Sequence, residues 1–403
     1  MKVRIYSPAY RENPFYQGAY LSLPATRAEI KDAFDVARIH KGEDFQVSVV
    51  KTDFPFLSQY ADLEGADLED LDFLARELYR KSDENRERYE SAVAIYVSEQ
   101  SPRLLRCKEL VNVFYNMDRF DFYPGLIEEK DLGEKVLEED VEALLGPVSD
   151  VVYKLLDPKR VGHYAKEQEG GVFTSGGYGM RIKKGWIKLS DKKDIIRERQ
   201  ADSVMLSLYL KNDKCMEKGP QIWLDLPCEE AEMEKTLQMF NTENMDNLRI
   251  LDVQSAIPRL SSLIDTRENI EKLNELAKSL IKLSPEQLVK YKAVLEFLDC
   301  EDLQEAIDLV EQLDGYTFSS EHVSYGDYGR GYLERQGIDC RDSAFSTFDF
   351  EAYGRQRCEE KGMILTPYGT VSLTACQEEA EREDMSNGQE EEAKGMDFQM
   401  GSM

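Results

Sequence analysis

Histidine and cysteine are the residues whose chemistry most often supports a metal or nucleophilic site, and both are scarce here. The three histidines, His40, His163 and His322, form no H-x-x-x-H or H-E-x-x-H pair, so no histidine metal site is predicted. His163, beside Gly162, is interpreted as a surface or otherwise satisfied histidine. The seven cysteines are scattered without a C-x-x-C pair, which predicts neither a disulfide framework nor a thiolate zinc site.

Glycine-rich stretches offer a second route to chemistry, through phosphate binding. The pairs at 170–171 and 176–177 do not belong to a G-x-x-x-x-G-K-[ST] motif and are predicted to form hairpin turns. The segment 325–329 (YGDYG) is predicted to be a turn as well. Carboxylate pairs are unavoidable among 79 acidic residues and identify no acid–base site. We therefore expect no enzyme activity, no metal and no cofactor.

The acidic residues themselves are the dominant chemical feature. The formal net charge of −28 comes from 79 acidic and 51 basic residues, and it repels DNA, RNA and anionic membranes at long range. The net charge indicates either a basic partner or simply a very soluble cytosolic protein. The N-terminal stretch MKVRIYSPAYRENP lacks the apolar core of a signal peptide, and the chain has no apolar run of ~18 residues. A reducing cytoplasm is the expected location.

Carboxylate spacing is most regular in the segment 301–314. Its apolar residues at helical spacing, predicted to be buried, are Leu303, Ile307, Val310 and Leu313. The carboxylates on the opposite side are Glu301, Glu305, Asp308 and Glu311. A rise of ~1.5 Å per residue puts one carboxylate every ~5 Å, while a DNA strand has a phosphate every ~3.4 Å. Two or three such stripes would approach the charge density of a duplex; the alternative for this helix alone is a solvated face.

Internal repetition indicates the elements that must position these carboxylates. Five blocks recur in the same order, offset by about 203 residues at first and about 190 at the end. The first two blocks pair Leu23-Pro24 with Leu226-Pro227 and residues 49–57 with 252–260. The third pairs the helically spaced residues Leu71, Leu74, Ala75 and Leu78 with Leu273, Leu276, Ala277 and Leu280. The last two pair 131–138 with 327–334 and 156–179 with 348–369. We infer a duplication.

The repeat divides the chain into four parts. A first copy spans 1–180, a charged connector 181–202, a second copy 203–375 and a disordered acidic tail 376–403. The connector is locally basic and is interpreted as a solvated linker rather than a nucleic-acid patch. The expected fold class is α+β, with tandem modules that each contain a small mixed unit, a helical bundle and a second small mixed unit.

The second copy gives the clearest secondary structure. Strands are expected at 204–210, 221–226 and 248–253, with a helix at 228–240. Three amphipathic helices follow between 267 and 315, one of them starting at Ser284-Pro285. Residues 316–373 are expected to form another α+β unit.

The end of the second copy resembles a known family. The run Phe348-Asp349-Phe350-Glu351-Ala352-Tyr353-Gly354-Arg355, followed by Gly362 and Tyr368-Gly369, resembles the C-terminal signature of ArdA-type antirestriction proteins. The opening stretch 223–227 resembles the first strand of that family's modules. The resemblance implies an elongated acidic inhibitor that occupies the DNA-binding groove of type I restriction-modification enzymes and is carried by plasmids, conjugative elements and phages.

The resemblance also implies roles for particular residues. Asp349, Glu351 and Arg355 are expected to join Glu301, Glu305, Asp308 and Glu311 on the DNA-mimicking surface. Phe348, Phe350, Tyr353 and Gly354 are expected to hold the fold or an interface. In the first copy, 156–162 keeps the frame but loses the aromatic and acidic content.

The implied partner is a type I complex, through its specificity and modification subunits. Because the family dimerises through its C-terminal region, two fused copies would give a monomeric pseudo-dimer or a homodimer. The alternative is an acidic interaction protein of a mobile element that binds a different basic partner, such as a nuclease, a repressor or a CRISPR effector.

Overall fold

A computed structural model describes residues 1–99, 103–139, 146, 149–182, 186, 204–212 and 219–374. The tail predicted to be disordered lies outside these residues, as does the connector apart from residues 181, 182 and 186. Helices alternate with small, mostly antiparallel sheets of two or three strands, so the α+β prediction is confirmed.

Residues 1–182 contain eight strands and eight helices among those described. The strands are β1 (Lys2–Tyr6), β2 (Ala19–Ser22), β3 (Gln46–Lys51), β4 (Ala61–Asp62), β5 (Leu105–Arg106), β6 (Phe120–Pro124), β7 (Val172–Phe173) and β8 (Gly177–Arg181). The helices are α1 (Arg27–Val36), α2 (Pro55–Tyr60), α3 (Leu68–Arg80), α4 (Asp83–Glu99), α5 (Cys107–Tyr115), α6 (Glu129–Glu139), α7 (Asp150–Leu155) and α8 (Pro158–Glu169).

Residues 204–374 follow with six strands and seven helices among those described. The strands are β9 (Leu206–Asn212), β10 (Gln221–Leu226), β11 (Leu248–Ser255), β12 (Tyr316–Ser319), β13 (Met363–Thr366) and β14 (Gly369–Leu373). The helices are α9 (Glu230–Phe240), α10 (Pro258–Leu263), α11 (Ile270–Leu280), α12 (Pro285–Phe297), α13 (Leu303–Gln312), α14 (Tyr325–Arg335) and α15 (Phe350–Glu360).

The chain folds into two compact units. The first unit contains Met1–Arg4, Tyr20–Ala25 and Gln46–Glu198, and the second contains Ile5–Ala19, Thr26–Phe45 and Arg199–Met403. Two N-terminal segments, 5–19 and 26–45, thus belong with the second unit, although the repeat had assigned them to the first copy.

Buried polar contacts explain why α1 belongs to the second unit. The Lys292 ammonium is only 1% exposed and lies 2.9 Å from a carboxylate oxygen of Asp32 and 2.6 Å from one of Asp35. The Tyr368 hydroxyl donates a hydrogen bond to Asp32 at 2.7 Å. Val36 packs against the apolar core of the second unit. Without α1, Lys292 would be a buried charge without these partners, which is costly.

Within the second unit, residues 204–374 contain the predicted elements in the predicted order. Strands β10, β9 and β11 form an antiparallel sheet in that order, and the three expected helices follow as α11, α12 and α13. Helix α12 begins with a capping box, in which the Ser284 side chain accepts from the backbone of Gln287 and the Gln287 side chain accepts from Ser284. The last α+β unit contains the sheet β12-β14-β13 and helices α14 and α15.

Two predictions about glycine-rich turns are wrong. Segment 325–329 opens helix α14, because Ser324 caps it and its glycines permit close packing. A Cβ at Gly326 would lie 2.6 Å from the Phe15 ring, and one at Gly329 would lie 2.6 Å from a backbone oxygen of Phe350. Gly170 ends α8 in the left-handed conformation instead of forming a hairpin, whereas 176–177 does form the β7–β8 turn.

Matching local contacts occur at repeat-related positions. The Asp72 carboxylate accepts from the backbone N–H of Ala25 at 2.7 Å, as the Asn274 amide oxygen accepts from that of Cys228 at 2.8 Å. Buried tyrosines 89 and 291 each donate to a backbone carbonyl of a later helix. Both Leu-Pro bonds are cis. The contacts of Asp72 and Asn274 support the duplication, which we retain as an inference.

Candidate functional site

The acidic helix α13 is shaped by its cap and by one apolar face. The Asp302 carboxylate accepts from the backbone of Gln304 at 2.6 Å and so begins the helix at Leu303. Leu303, Ala306 and Leu309 are the buried residues of α13, and Leu313 is buried just after its end. Of the four apolar residues predicted to be buried, Ile307 and Val310 are only half-buried, because Ala306 and Leu309 lie between them at the centre of the apolar face.

The four predicted carboxylates of this segment are all exposed. Glu305, Asp308 and Glu311 lie on α13, while Glu301 precedes its cap. Asp308 accepts a hydrogen bond from the Gln304 amide at 2.6 Å. The described part of the chain provides no ion pair for any of the four. Their charge is therefore open to a partner.

The same asymmetry extends over residues 221–314, all of which are described. This range holds 21 acidic and nine basic residues, of which 18 acidic and three basic residues are exposed. The exposed acidic residues are Glu229, Glu230, Glu232, Glu234, Glu243, Asp246, Asp252, Asp265, Glu271, Glu275, Glu286, Asp299, Glu301, Asp302, Glu305, Asp308, Glu311 and Asp314. The exposed basic residues are Lys235, Arg267 and Lys282.

Several basic side chains of this range are engaged in internal contacts. Lys292 is buried against Asp32 and Asp35. The Arg259 guanidinium donates to the backbone carbonyl of Cys300 at 2.7 Å, and Lys278 pairs with Glu275 at 2.8 Å. Lys292 thus carries its positive charge inside the unit, and Lys278 pairs with Glu275 at the surface, while most of the acidic side chains of this range remain exposed.

Helix polarity helps the fold to tolerate this concentration of carboxylates. Acidic residues stand in the first turn of each of the helices α9, α11, α12 and α13, and include Glu230, Glu271, Glu286 and Glu305. The helix dipole stabilises a negative charge at that end by about 0.3–1 kcal/mol. At these positions the interaction with the helix dipole therefore offsets part of the repulsion among the acidic side chains.

The three polar residues of the C-terminal motif are exposed but also stabilise the fold. Asp349 caps α15 by accepting from the backbone of Ala352 at 2.9 Å. A Glu351 carboxylate oxygen accepts from the backbone N–H of Gly326 at 2.7 Å, and its other oxygen lies 3.8 Å from Arg355. The Arg355 guanidinium lies 4.6 Å from the centre of the Tyr325 ring. These three residues therefore have a structural role that the exposed carboxylates of α13 lack, in addition to any contact with a partner.

The motif's aromatic residues and glycine mostly pack within the unit. Phe350 contacts Phe15 at 6.1 Å between ring centres, and Tyr353 contacts Phe348 at 5.6 Å. Gly354 is buried where α14 and α15 cross, and its Cβ would lie 1.8 Å from a backbone oxygen of α14. Phe348 remains 38% exposed. The motif therefore serves mainly to join α14 and α15.

Sequence pattern alone does not identify the N-terminal residues that complete this region. The Asn13 side chain donates to Asp327 at 2.9 Å, and the Phe15 ring lies against Gly326. Both residues are more than 300 positions from their partners in the chain. The contacts of Asp32 and Asp35 on α1 with Lys292 could not be predicted either, because a single sequence does not show which distant residues lie close together in the fold.

The histidines occupy unremarkable structural environments. His163 is exposed and pairs through Nδ1 with Glu129 at 2.9 Å, which raises the pKa of the imidazole. His322 is 7% exposed, with Nδ1 3.5 Å from Asp327. Among the described residues no cluster of His, Cys, Asp and Glu could hold a metal ion. Over the same residues, no helix is long and apolar enough to cross a membrane.

Comparison with known protein families gives a match for one region of the chain. Residues 221–372 match the family model for the antirestriction protein ArdA. The match begins with β10 and ends within β14, so it includes the acidic helices and the α14–α15 pair, whereas residues 1–220 lie outside it. A search of the curated proteins found no match to the chain.

Proposed function

We propose that the protein inhibits a type I restriction-modification enzyme by occupying its DNA-binding groove, and the premise is the match of residues 221–372 to the ArdA antirestriction family. The observation that carries the proposal is the separation of charge in residues 221–314, where 18 of the 21 acidic residues are exposed and only three of the nine basic residues are. The protein acts without catalysis, as a stoichiometric inhibitor.

Electrostatics explains how such a surface competes with DNA. A DNA-binding groove is lined with Lys and Arg side chains that neutralise phosphates, and each such contact depends strongly on salt. The exposed carboxylates of α13 present fixed negative charge at ~5 Å intervals, and the described residues form no ion pair with them. The specificity and modification subunits, which hold DNA in the type I complex, are the proposed contact partners.

The decisive experiment is a competition assay with purified type I enzyme. Inhibition of both endonuclease and methyltransferase activities is expected at one inhibitor per complex, and it should be relieved by excess unmodified DNA and by added salt. Inhibition that excess DNA cannot overcome contradicts mimicry. Absence of binding to every member of a panel of type I enzymes contradicts the proposed target. Recovery of a nuclease, repressor or CRISPR effector instead of modification subunits would favour the alternative basic partner.

A matched pair of charge variants locates the surface. The variant E301Q/E305Q/D308N/E311Q removes four exposed charges from the second unit, and D62N/E64Q/D67N/E69Q removes four from exposed residues of the first. We expect the former to weaken inhibition by about tenfold or more, at ~0.2–1 kcal/mol per exposed pair, and the latter by much less. Equal loss from both variants would argue for a diffuse charge effect rather than a surface on the second copy.

The inferred duplication bears on the oligomeric state of the protein. We propose that residues 1–180 and 203–375 are related copies, so that one chain supplies what two ArdA modules supply elsewhere. Native mass spectrometry separates the two expected forms, since a monomeric pseudo-dimer has a mass of 46.4 kDa and a homodimer twice that value.

A further inference from the structure

A groove separates α9 from α11 in the second unit. Its volume is about 740 Å³, within the range of ~300–1,000 Å³ that is usual for binding clefts. Met233, Leu237 and Met245 supply its apolar lining. Met245 is 5% exposed, while Met233 and Leu237 are half-buried. The groove thus presents an apolar floor in the most acidic part of the chain.

The walls of this groove are fixed by buried hydrogen bonds. Asn274 on α11 is 3% exposed and accepts from the backbone N–H of Cys228 at 2.8 Å. Its amide nitrogen donates back to the Cys228 carbonyl at 3.0 Å. Because Cys228 lies two residues before α9, this two-way contact ties the chain at the start of α9 to the middle of α11. The groove is therefore formed before any partner arrives.

Carboxylates form the rim on both sides. Glu230 and Glu234 lie one helical turn apart on α9, and Glu271 and Glu275 lie one turn apart on α11. All four are exposed. Like charges at this spacing destabilise a helix by a few tenths of a kcal/mol. Lys272 and Lys278 also line the groove, but Lys278 already pairs with Glu275 at 2.8 Å.

We propose that this groove binds a basic amphipathic helical segment of a partner protein, with an apolar side chain on the methionine and leucine floor and Lys or Arg side chains on the rim carboxylates of Glu230, Glu234 and Glu271. Charge complementarity selects this occupant, because the rim repels acidic segments and nucleic acid. The flexible, polarisable thioethers of Met233 and Met245 adapt to differing apolar side chains, as methionine does on other helix-binding surfaces.

This site lies on α9 and α11, apart from the α13 carboxylates that are proposed to replace phosphates, although its rim carboxylates belong to the same set of 18 exposed acidic residues. Phosphate mimicry requires only negative charge at regular spacing, whereas an apolar floor contributes nothing to a groove built for phosphates. The peptide site is instead suited to reading a protein segment. It does not depend on the identity of the restriction enzyme or on DNA mimicry.

The test measures binding of a defined peptide to the full-length protein. The probe is a fluorescein-labelled peptide of leucine and lysine, about four helical turns long and amphipathic, followed by fluorescence anisotropy at ~0.15 M salt. A second peptide replaces each leucine with serine and keeps the charge. We expect the leucine peptide to bind at least about tenfold more tightly, because only it has apolar side chains for the floor.

Two matched variants place the peptide in the groove. Leu237→Lys puts a positive charge on the floor, whereas Met239→Lys adds the same charge to the same helix at a position that is 54% exposed and outside the lining. The former should weaken leucine-peptide binding by about tenfold or more and the latter by no more than about twofold. Equal effects, or equal binding of the two peptides, overturn the proposal.

A second pair of variants keeps the test decisive if the Leu237 variant does not fold. E230Q/E234Q changes only exposed rim residues, and D308N/E311Q removes the same number of charges from exposed residues of α13. Only the rim variant should weaken the peptide by more than about threefold. Because no restriction enzyme or DNA is present, failure here leaves the inhibition assay unaffected, and failure of inhibition leaves this site standing.

Discussion

Lys292 is the residue whose environment most directly links distant parts of the second unit. It is 1% exposed and bonds to Asp32 and Asp35, while the Tyr368 ring centre lies 5.5 Å from its ammonium. Burial and the nearby Asp32 raise the pKa of the Tyr368 phenol, so it remains the neutral donor to that carboxylate. A sequence shows the lysine but not its partners.

Replacement of Lys292 by methionine tests this network. The change keeps most of the apolar stem but leaves two mostly buried carboxylates without their cation, so we expect a loss of about 3–5 kcal/mol in the free energy of unfolding. Urea denaturation followed by circular dichroism provides the measurement. Lys290→Met changes a half-buried lysine of the same helix and should cost much less. Equal losses would show that Asp32 and Asp35 do not depend on Lys292.

His163 gives a pH-dependent test in the first unit. The hydrogen bond that the His163 imidazole donates to the Glu129 carboxylate raises the pKa of His163 above its usual value of ~6.5, and the same contact lowers the pKa of Glu129. A raised histidine pKa contributes stability below the unfolded value, and this contribution is lost as the pH rises through the folded value. We expect NMR titration to give a value above ~6.5 in the native protein.

Two exchanges assign the cause of that shift. Glu129→Gln should return the His163 pKa toward ~6.5, since it removes the carboxylate at 2.9 Å. Glu167→Gln removes the carboxylate at 3.4 Å and should lower it less. An unchanged value in the Glu129 variant would contradict the contact. With three histidines in the chain, the imidazole signals can be assigned by substitution.

At the scale of elements, paired glycines set the crossings of two helix pairs. Gly329 and Gly354 meet where α14 crosses α15, and Gly133 and Gly162 meet where α6 crosses α8. In each pair, a Cβ on either glycine would overlap backbone atoms of the opposite helix. Helices carrying these glycines can approach more closely than helices with side chains at those points.

Gly354→Ala should therefore destabilise the second unit in spite of alanine's better helix propensity. The gain of about 1 kcal/mol in propensity is outweighed by a Cβ 1.8 Å from a backbone oxygen of Tyr325, and we expect a net loss of about 1–3 kcal/mol. Thermal unfolding measures it. Gly331→Ala is the matched control on α14, where the nearest atom is a His322 side-chain carbon at 3.2 Å. An equally destabilised control would contradict the role of the crossing.

These elements also show how much the sequence could predict. Periodicity located α11, α12 and α13, and β10 at 221–226, because local apolar spacing reports which face is buried. The turn predicted at 325–329 failed, since glycine's usual preference for turns was overridden by close packing against α15 and Phe15.

At the scale of the whole molecule, the sequence revealed how much acid there is but not how it is distributed. Composition gave the net charge of −28, and pattern located the stripe from Glu301 to Glu311. Only the three-dimensional structure shows that Arg259 donates to the Cys300 carbonyl and Lys292 is buried against Asp32, while most acidic residues of the same range face solvent. The assignment of α1 to the second unit was likewise beyond reach, because it depends on tertiary contacts.

That distribution predicts opposite responses of stability and inhibition to salt. Exposed carboxylates at short spacing repel one another, and the Debye length falls from ~10 Å at 0.1 M to ~3 Å at 1 M, so added NaCl should raise the unfolding temperature. The same screening should weaken inhibition, because attraction to a basic groove is lost. Differential scanning calorimetry and the competition assay follow both over one salt series.

A charge-reduced variant makes this prediction specific to the acidic surface. E301Q/D308N/E311Q, which keeps the first-turn residue Glu305, removes part of the repulsion, so the unfolding temperature of the second unit should start higher at low salt and rise less as salt is added. KCl in place of NaCl should give the same curves, since screening depends on ionic strength rather than on the cation. An unfolding temperature that falls with salt would mean that ion pairs such as Lys292 with Asp32 outweigh the repulsion among the exposed carboxylates.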